Sequence, residues 1–123
     1  MTTLTRLVIA LGLAELARGI IYLGALPWIG GGAAAGAMAV NLLAETLGKP
    51  MGGWLIDRFG WRVVLHTGFP LMICGLLVTG LAFRVEPSMM LSGSAMAGLA
   101  VGWIHLAALR GAQRADVGRI QAA

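Results

Sequence analysis

Four long apolar segments divide this chain, and they limit the folds open to it more than any other feature. They cover residues 7–29, 33–56, 63–83 and 88–109, with only short turns between them. A helix of about 20 mostly apolar residues crosses the hydrocarbon core of a bilayer. Hydrophobic residues make up 59% of the chain and charged residues 11%, which is too few charges for an ordinary soluble domain. The sequence therefore predicts an all-α membrane protein, a single domain with four transmembrane helices.

The basic residues near the segment ends predict an orientation, because lysine and arginine accumulate on the cytoplasmic side. With the N-terminus inside, only Arg84 faces outward, and Arg18 lies within the first segment. The remaining basic residues then face the cytoplasm or reach it along a long side chain: Arg6, Lys49, Arg58, Arg62, Arg110, Arg114 and Arg119. We expect a multi-pass protein of the cell (inner) membrane with both termini, including the polar tail 110–123, in the cytoplasm.

The composition argues against several classes of function. Nucleic-acid-binding chains cluster their basic residues on one face, whereas here they are scattered at segment ends. Two separated histidines and one cysteine, Cys74, are too few for a metal site. The glycine runs lack the lysine and hydroxyl residue of a phosphate-binding loop. We therefore expect no enzyme, no metal, no cofactor and no nucleic-acid partner, and we expect contact with membrane lipid.

Ionisable residues inside the apolar segments are the candidate functional residues, because a charge at the centre of a bilayer is costly. In the first segment, Glu15, Arg18 and Tyr22 are spaced i, i+3, i+7 and share one helical stripe. Two interpretations stay open. Glu15 and Arg18 form a structural ion pair that eases insertion, or the stripe lines a path for a substrate or a proton.

The second segment places Asn41, Glu45 and Lys49 on one broad face with Gly48 and Gly52. Glu45 and Lys49 are spaced i, i+4, which predicts that they pair. Glu45 has an alternative role in carrying protons, because a carboxylate in an apolar setting can hold or release a proton near neutral pH.

In the fourth segment, Ser94, Gly98, Gly102 and His105 share a face. The small residues predict a packing surface. His105 is either structural or part of transport, because histidine can titrate near neutral pH. The candidate substrate or proton path therefore comprises Glu15, Arg18, Tyr22, Asn41, Glu45, Ser94 and His105.

A short charged turn joins the second and third segments. It carries, in order, Gly53, Asp57, Arg58, Gly60 and Arg62. This order resembles the signature loop of the major facilitator superfamily of secondary transporters, which joins the second and third helices on the cytoplasmic side. The end of the first segment and the basic tail are similar to that family as well, so the resemblance extends over nearly the whole chain: Ala25-Leu26-Pro27, and Leu109-Arg110-Gly111 to Gly118-Arg119.

The resemblance implies secondary active transport of a small solute, with or without a coupled proton, by part of an N-terminal helical bundle. Asp57 would be the carboxylate of a conformational latch, Arg58 and Arg62 its charged neighbours, and Gly53 and Gly60 the residues that permit a close turn. Members of the family have two six-helix halves. The chain is therefore expected to be a truncated or partial transporter that needs further helices or a second copy to complete its cavity.

Two other classes remain open. Small four-helix multidrug exporters work as dimers and use a membrane glutamate, for which Glu15 is the candidate. Arg18, one turn away, opposes that interpretation because it favours the ionised carboxylate. The other class is a non-transporting membrane accessory subunit. Glu15, Arg18 and Glu45 together carry a net charge of about −1 at their ordinary ionisation, which favours a cationic or proton-coupled cargo.

Overall fold

The structure, a computed structural model, describes residues 2–25, 32–86 and 88–122. Side chains are described throughout these ranges except at 24–25, 32–34, 82–85 and 115–122. Within this part of the chain the fold is entirely helical. The helices are α1 (Thr3–Gly19), which continues into a π-helical segment (Ile20–Ala25), α2 (Gly32–Phe59), α3 (Trp61–Val85) and α4 (Ser88–Ala122).

The helices follow the four apolar segments, but two of their ends lie elsewhere than predicted. Helix α2 continues to Phe59, so Asp57 and Arg58 belong to its last turn instead of a loop. Helix α4 continues to Ala122, so the polar tail predicted from residue 110 is helical. The tail is rich in alanine, arginine and glutamine, which are strong helix formers. Residues 26–31, which include the predicted Pro27 end of the first segment, lie outside the described residues.

The prediction of four membrane spans is not confirmed. In the described ranges, two helices are long and apolar enough to cross a membrane, over Trp61–Leu81 and Ser88–Arg114. The α-helical part of α1 ends after 17 residues and carries three charged side chains, Arg6, Glu15 and Arg18. Helix α2 carries Glu45 and Lys49 among many glycines and alanines, and these small residues add little hydrophobicity. The structure thus supports a helical protein with two candidate membrane spans.

Helix α4 is the centre of the bundle, since it packs along both α2 and α3 and also contacts α1. Its glycines allow the close approach. A Cβ atom built on Gly102 would lie 2.7 Å from the carbonyl oxygen of Glu45 on α2. A Cβ atom on Gly75 of α3 would lie 2.6 Å from the amide nitrogen of Ala97 on α4. The small-residue face predicted for the fourth segment is therefore a packing surface, and it draws Glu45 towards α4.

The outer faces of α1 and α2 are apolar. Each exposes a series of large aliphatic side chains at more than half of their accessible area: Val8, Leu13, Leu16, Ile20 and Leu23 from α1 and its π-helical continuation, and Leu43 and Leu47 from α2. Soluble monomers rarely expose apolar surface on this scale. Three charged residues of these two helices, Glu15, Arg18 and Glu45, are partly buried.

Candidate functional site

Four ionisable side chains from three helices meet beside α4, and we call them the charged cluster: Glu15 and Arg18 of α1, Glu45 of α2 and His105 of α4. Arg18 donates one hydrogen bond to Glu15 over 2.8 Å and another to Glu45. The Nε2 atom of His105 lies 2.5 Å from Glu15 Oε1, and its Nδ1 atom lies 3.4 Å from Glu45 Oε1. Each carboxylate therefore contacts both the guanidinium and the imidazole.

The protonation of His105 sets the charge of this cluster. Two carboxylates and one guanidinium give a net charge of −1 with a neutral imidazole, and zero with an imidazolium. Both ring nitrogens of His105 face carboxylate oxygens, and only an imidazolium carries a hydrogen on both nitrogens. Both ring nitrogens of His105 can therefore donate to the two carboxylates at once only when the ring is protonated.

The sequence predicted two ion pairs, and the structure contains one of them. The Glu15–Arg18 ion pair is confirmed at 2.8 Å. The predicted Glu45–Lys49 pair is wrong, because Glu45 binds Arg18 and lies beside His105, while Lys49 is exposed and makes no ion pair with the described residues. A part-buried, charge-assisted contact with the planar guanidinium outweighs an exposed i, i+4 pair, which contributes only a few tenths of a kcal/mol.

A second group of polar side chains lies buried next to the charged cluster: Tyr22, Asn41, Thr79 and Ser94. We call it the hydroxyl cluster, because three of its four members carry a hydroxyl group. Tyr22 donates to Ser94 Oγ over 2.8 Å, and Asn41 Nδ2 donates to the Ser94 carbonyl oxygen over 3.1 Å. Thr79 lies 3.5 Å from Ser94 Oγ and donates to the Gly75 carbonyl oxygen. These bonds connect α2, α3, α4 and the π-helical segment, so the cluster fixes the positions of the helices around the charged residues.

A small cavity of about 210 Å³ adjoins both clusters on the α1–α2 side of the bundle. Its polar wall consists of Glu15, Arg18, Tyr22 and Asn41, and Met38 and Leu42 contribute apolar surface. Glu15 is the most accessible member of the charged cluster, with 38% of its side chain exposed against 12% for Glu45. We call this space the solute cavity. Its volume lies below the range of about 300–1,000 Å³ that is usual for drug-sized ligands, so it suits a small solute.

The structure brings together all seven residues predicted to form a path. Four of them line the solute cavity, while Glu45, Ser94 and His105 contact those four from the α2 and α4 side. Sequence reasoning missed Thr79 of α3. Its sequence signal is ambiguous, because the third apolar segment contains two threonines, Thr67 and Thr79. Helical threonines commonly bond the carbonyl four residues back, as both of these do.

The predicted tight turn between the second and third segments is present. Gly60 alone separates α2 from α3, and its φ of 93° lies in the region that favours glycine. Gly53 lies inside α2, and a Cβ atom built there would meet nothing within 4 Å. Gly60 therefore makes the turn, and nothing in the described surroundings of Gly53 requires a glycine.

Three of the five predicted latch residues, Asp57, Gly60 and Arg62, line a cleft of about 410 Å³ where the turn meets α4. We call it the basic cleft and define it by Asp57, Trp61, Arg62, Arg110 and Arg114. Asp57 is exposed and, among the described residues, forms no ion pair within 4 Å. The cleft thus brings the predicted latch carboxylate close to three guanidinium groups without a direct pair.

The other latch arginine lies outside this cleft. Arg58 packs over the aromatic ring of Trp54, with its guanidinium carbon 5.6 Å from the ring centre, and over the ring of Phe59 at 5.8 Å. Arg62 packs in the same way over Trp61 at 5.3 Å. These distances are typical of cation–π contacts. Arg58 and Arg62 are therefore held by aromatic rings instead of by Asp57.

Comparison with known proteins finds no family model, no curated protein and no solved structure that matches this chain. The similarity of the turn to the major facilitator loop therefore remains a resemblance. The function has to be argued from the charged cluster, the solute cavity and the basic cleft.

Proposed function

We propose that the chain is an integral protein of the cell (inner) membrane in which all four helices cross the bilayer and both termini are cytoplasmic. The two candidate spans support this, since α4 packs along α2 and contacts α1. A helix packed along a membrane span lies at the same depth in the bilayer. The exposed aliphatic side chains of α1 and α2 suit contact with lipid.

Within that membrane bundle, we propose secondary active transport of a small solute, as the resemblance of the turn to the major facilitator loop implies. The charged cluster is the observation that carries this proposal. Ionisable groups within membrane spans are most often part of ion or substrate pathways. A purely structural pairing needs only Glu15 and Arg18, whereas Glu45 adds a negative charge that these two do not compensate.

The uncompensated charge favours a small cationic solute, a coupled proton, or exchange between the two. A cation in the solute cavity reaches Glu15, the more exposed of the two carboxylates in the charged cluster. A proton on His105 neutralises the same cluster from the α4 side. The two positive charges then compete for one negative charge, and such competition couples the movement of a proton to the movement of a cation.

The solute cavity is open on the α1–α2 side, and this supports the participation of further protein. A carboxylate such as Glu15, 38% exposed, would be unfavourable against lipid tails. Additional helices or a second copy would cover it. The small-exporter alternative gains nothing from the structure, because Arg18 binds the carboxylate of Glu15 directly.

Uptake of radiolabelled methylammonium into membrane vesicles containing the full chain tests this proposal. We expect uptake to respond to an imposed pH gradient and to fall at least tenfold in Glu45→Gln. Lys49→Gln is the matched control, because Lys49 is exposed on the same helix one turn away. Equal uptake by the Glu45→Gln variant and the unmodified chain would contradict a role of the charged cluster in transport.

A further inference from the structure

We infer that the basic cleft is a binding site for the phosphate group of an anionic membrane lipid. This inference rests on the proposed membrane location and is independent of transport. Three arginines, Arg62, Arg110 and Arg114, line one cleft of about 410 Å³. Arginine presents a planar set of donors that matches a phosphate, and its charge-assisted hydrogen bonds are among the strongest in proteins.

The charge of the cleft favours an anion. Its three arginines outnumber its single carboxylate, Asp57, and leave a net charge of +2. Helix α3 begins in the wall of the cleft at Trp61. The first N–H groups of a helix lack partners within the helix and carry a partial positive charge, which also attracts anions.

The position of the cleft selects a lipid over a free anion. One candidate span begins at Trp61 and the other ends at Arg114, so the cleft lies where both spans leave the hydrocarbon core at the same end of the bundle. Lipid headgroups occupy this depth. Trp61 together with Ile56 and Phe59 gives the cleft an apolar wall that can contact the glycerol and upper acyl region. In the proposed orientation it faces the cytoplasmic leaflet, which attracts basic segments through its anionic lipids.

The net charge of the cleft also bears on which lipids it binds. Asp57 offsets one of the three arginines and leaves the net charge at +2. A zwitterionic lipid carries an ammonium group that compensates its phosphate, so it gains less from a net charge of +2. The cleft therefore favours lipids with a net negative charge over zwitterionic lipids.

The test is lipid binding by the purified full chain in neutral detergent, measured by native mass spectrometry and by tryptophan fluorescence. The probes are short-chain phosphatidylglycerol, short-chain phosphatidylcholine and inorganic phosphate. We expect phosphatidylglycerol to bind at least tenfold more tightly than either of the others. Equal binding of phosphatidylcholine would overturn the charge argument, and equal binding of inorganic phosphate would overturn the assignment to a lipid.

Two variants and one control locate the site. Arg110→Gln/Arg114→Gln should weaken phosphatidylglycerol binding by roughly tenfold or more, as the loss of charge-assisted hydrogen bonds implies. Asp57→Asn should tighten it about two- to fivefold, from the loss of one nearby like charge. Arg58→Gln is the control, because Arg58 packs over Trp54 and does not line the cleft. Its binding should change less than twofold.

The outcomes separate a specific site from general basicity. If Arg58→Gln weakens binding as much as Arg110→Gln/Arg114→Gln does, the cleft is not the site. Unchanged or weaker binding in Asp57→Asn also contradicts the inference, and it does so even if the double arginine variant fails to fold. Alkaline carbonate extraction from native membranes tests the membrane location separately, because release of the chain would refute it whatever the lipid affinity.

Discussion

The Nε2 atom of His105 lies 2.5 Å from Glu15 Oε1, although the two residues are 90 positions apart in the chain. The contact joins the first helix to the last and places a titratable group against a carboxylate that lines the solute cavity. His105 also faces Glu45 of α2, and Arg18 of α1 lies on the far side of both carboxylates. One imidazole therefore contacts both carboxylates of the charged cluster, including the one that lines the cavity.

The first prediction concerns the pH dependence of transport. His105→Gln retains a side chain that can hydrogen bond to Glu15 but cannot take up a proton. We expect the dependence of cation uptake on pH to be at least twofold weaker in this variant than in the unmodified chain, because the substituted side chain cannot exchange a proton beside Glu15. His66→Gln is the control, since His66 is exposed and bonds the Arg62 carbonyl oxygen. A pH profile of His105→Gln that matches that of the unmodified chain would exclude His105 as the titrating group.

The second prediction concerns the stability of the charged cluster. Within the described part of the chain, Arg18→Gln removes the only guanidinium that contacts Glu15 and Glu45, and it leaves two carboxylates close together. We expect the free energy of unfolding in detergent to fall by about 1–3 kcal/mol, towards the lower end because Glu15 is partly exposed. The double variant Arg18→Gln/Glu45→Gln should recover part of this loss, because the repulsion is gone. A double variant less stable than Arg18→Gln alone would contradict the electrostatic explanation.

Much of this site was accessible from the sequence, for a physical reason. Ionisable residues in apolar segments must find partners, so Glu15, Arg18, Glu45 and His105 were identifiable before their contacts were known. The partner of Glu45 was not identifiable, because helical spacing reports neighbours on the same helix and not the rotation of one helix against another. Gly102 allows α2 to approach α4 closely at Glu45, and this approach is visible only in three dimensions.

The same limit applies to the fold. Apolar segment lengths indicated the helices, and Gly60 ended α2 within the expected turn. The lengths of the apolar segments did not predict the number of membrane spans as directly, because Gly- and Ala-rich helices such as α2 are long without being strongly apolar. The helical continuation of α4 places Arg110 and Arg114 in the same cleft as Asp57. A count of charges along the sequence cannot show that these residues share a cleft.

The third prediction concerns the hydroxyl cluster. Ser94→Ala removes the acceptor of the Tyr22 hydroxyl, and both side chains are buried. An unsatisfied buried hydroxyl costs about 1–3 kcal/mol, so we expect a comparable loss in the free energy of unfolding. Tyr22→Phe/Ser94→Ala should cost less than Ser94→Ala alone, since no hydroxyl is left without a partner. Thr67→Ala, at an exposed site on α3, should change stability by less than about 0.5 kcal/mol. Equal losses in the single and double variants would show that the Tyr22–Ser94 bond contributes little.

The fourth prediction compares two glycines of different surroundings. Gly102→Ala forces a methyl group towards the Glu45 carbonyl oxygen and the backbone at Gly48, which cannot move as a side-chain tip can. We expect a loss of about 1–3 kcal/mol from overpacking. Gly53→Ala places the same methyl group in open space on helical backbone. It should be neutral or stabilise by about 0.4–1 kcal/mol, because alanine restricts the unfolded chain more than glycine does.

The Gly102→Ala variant also tests whether packing positions the charged cluster. Separation of α2 from α4 would move Glu45 away from His105, so the pH dependence of cation uptake should weaken along with stability. Gly53→Ala should leave the pH profile unchanged, since it alters neither helix contact. If Gly102→Ala lowers stability but keeps the full pH dependence, Glu45 is held in place by Arg18 rather than by the approach of the two helices.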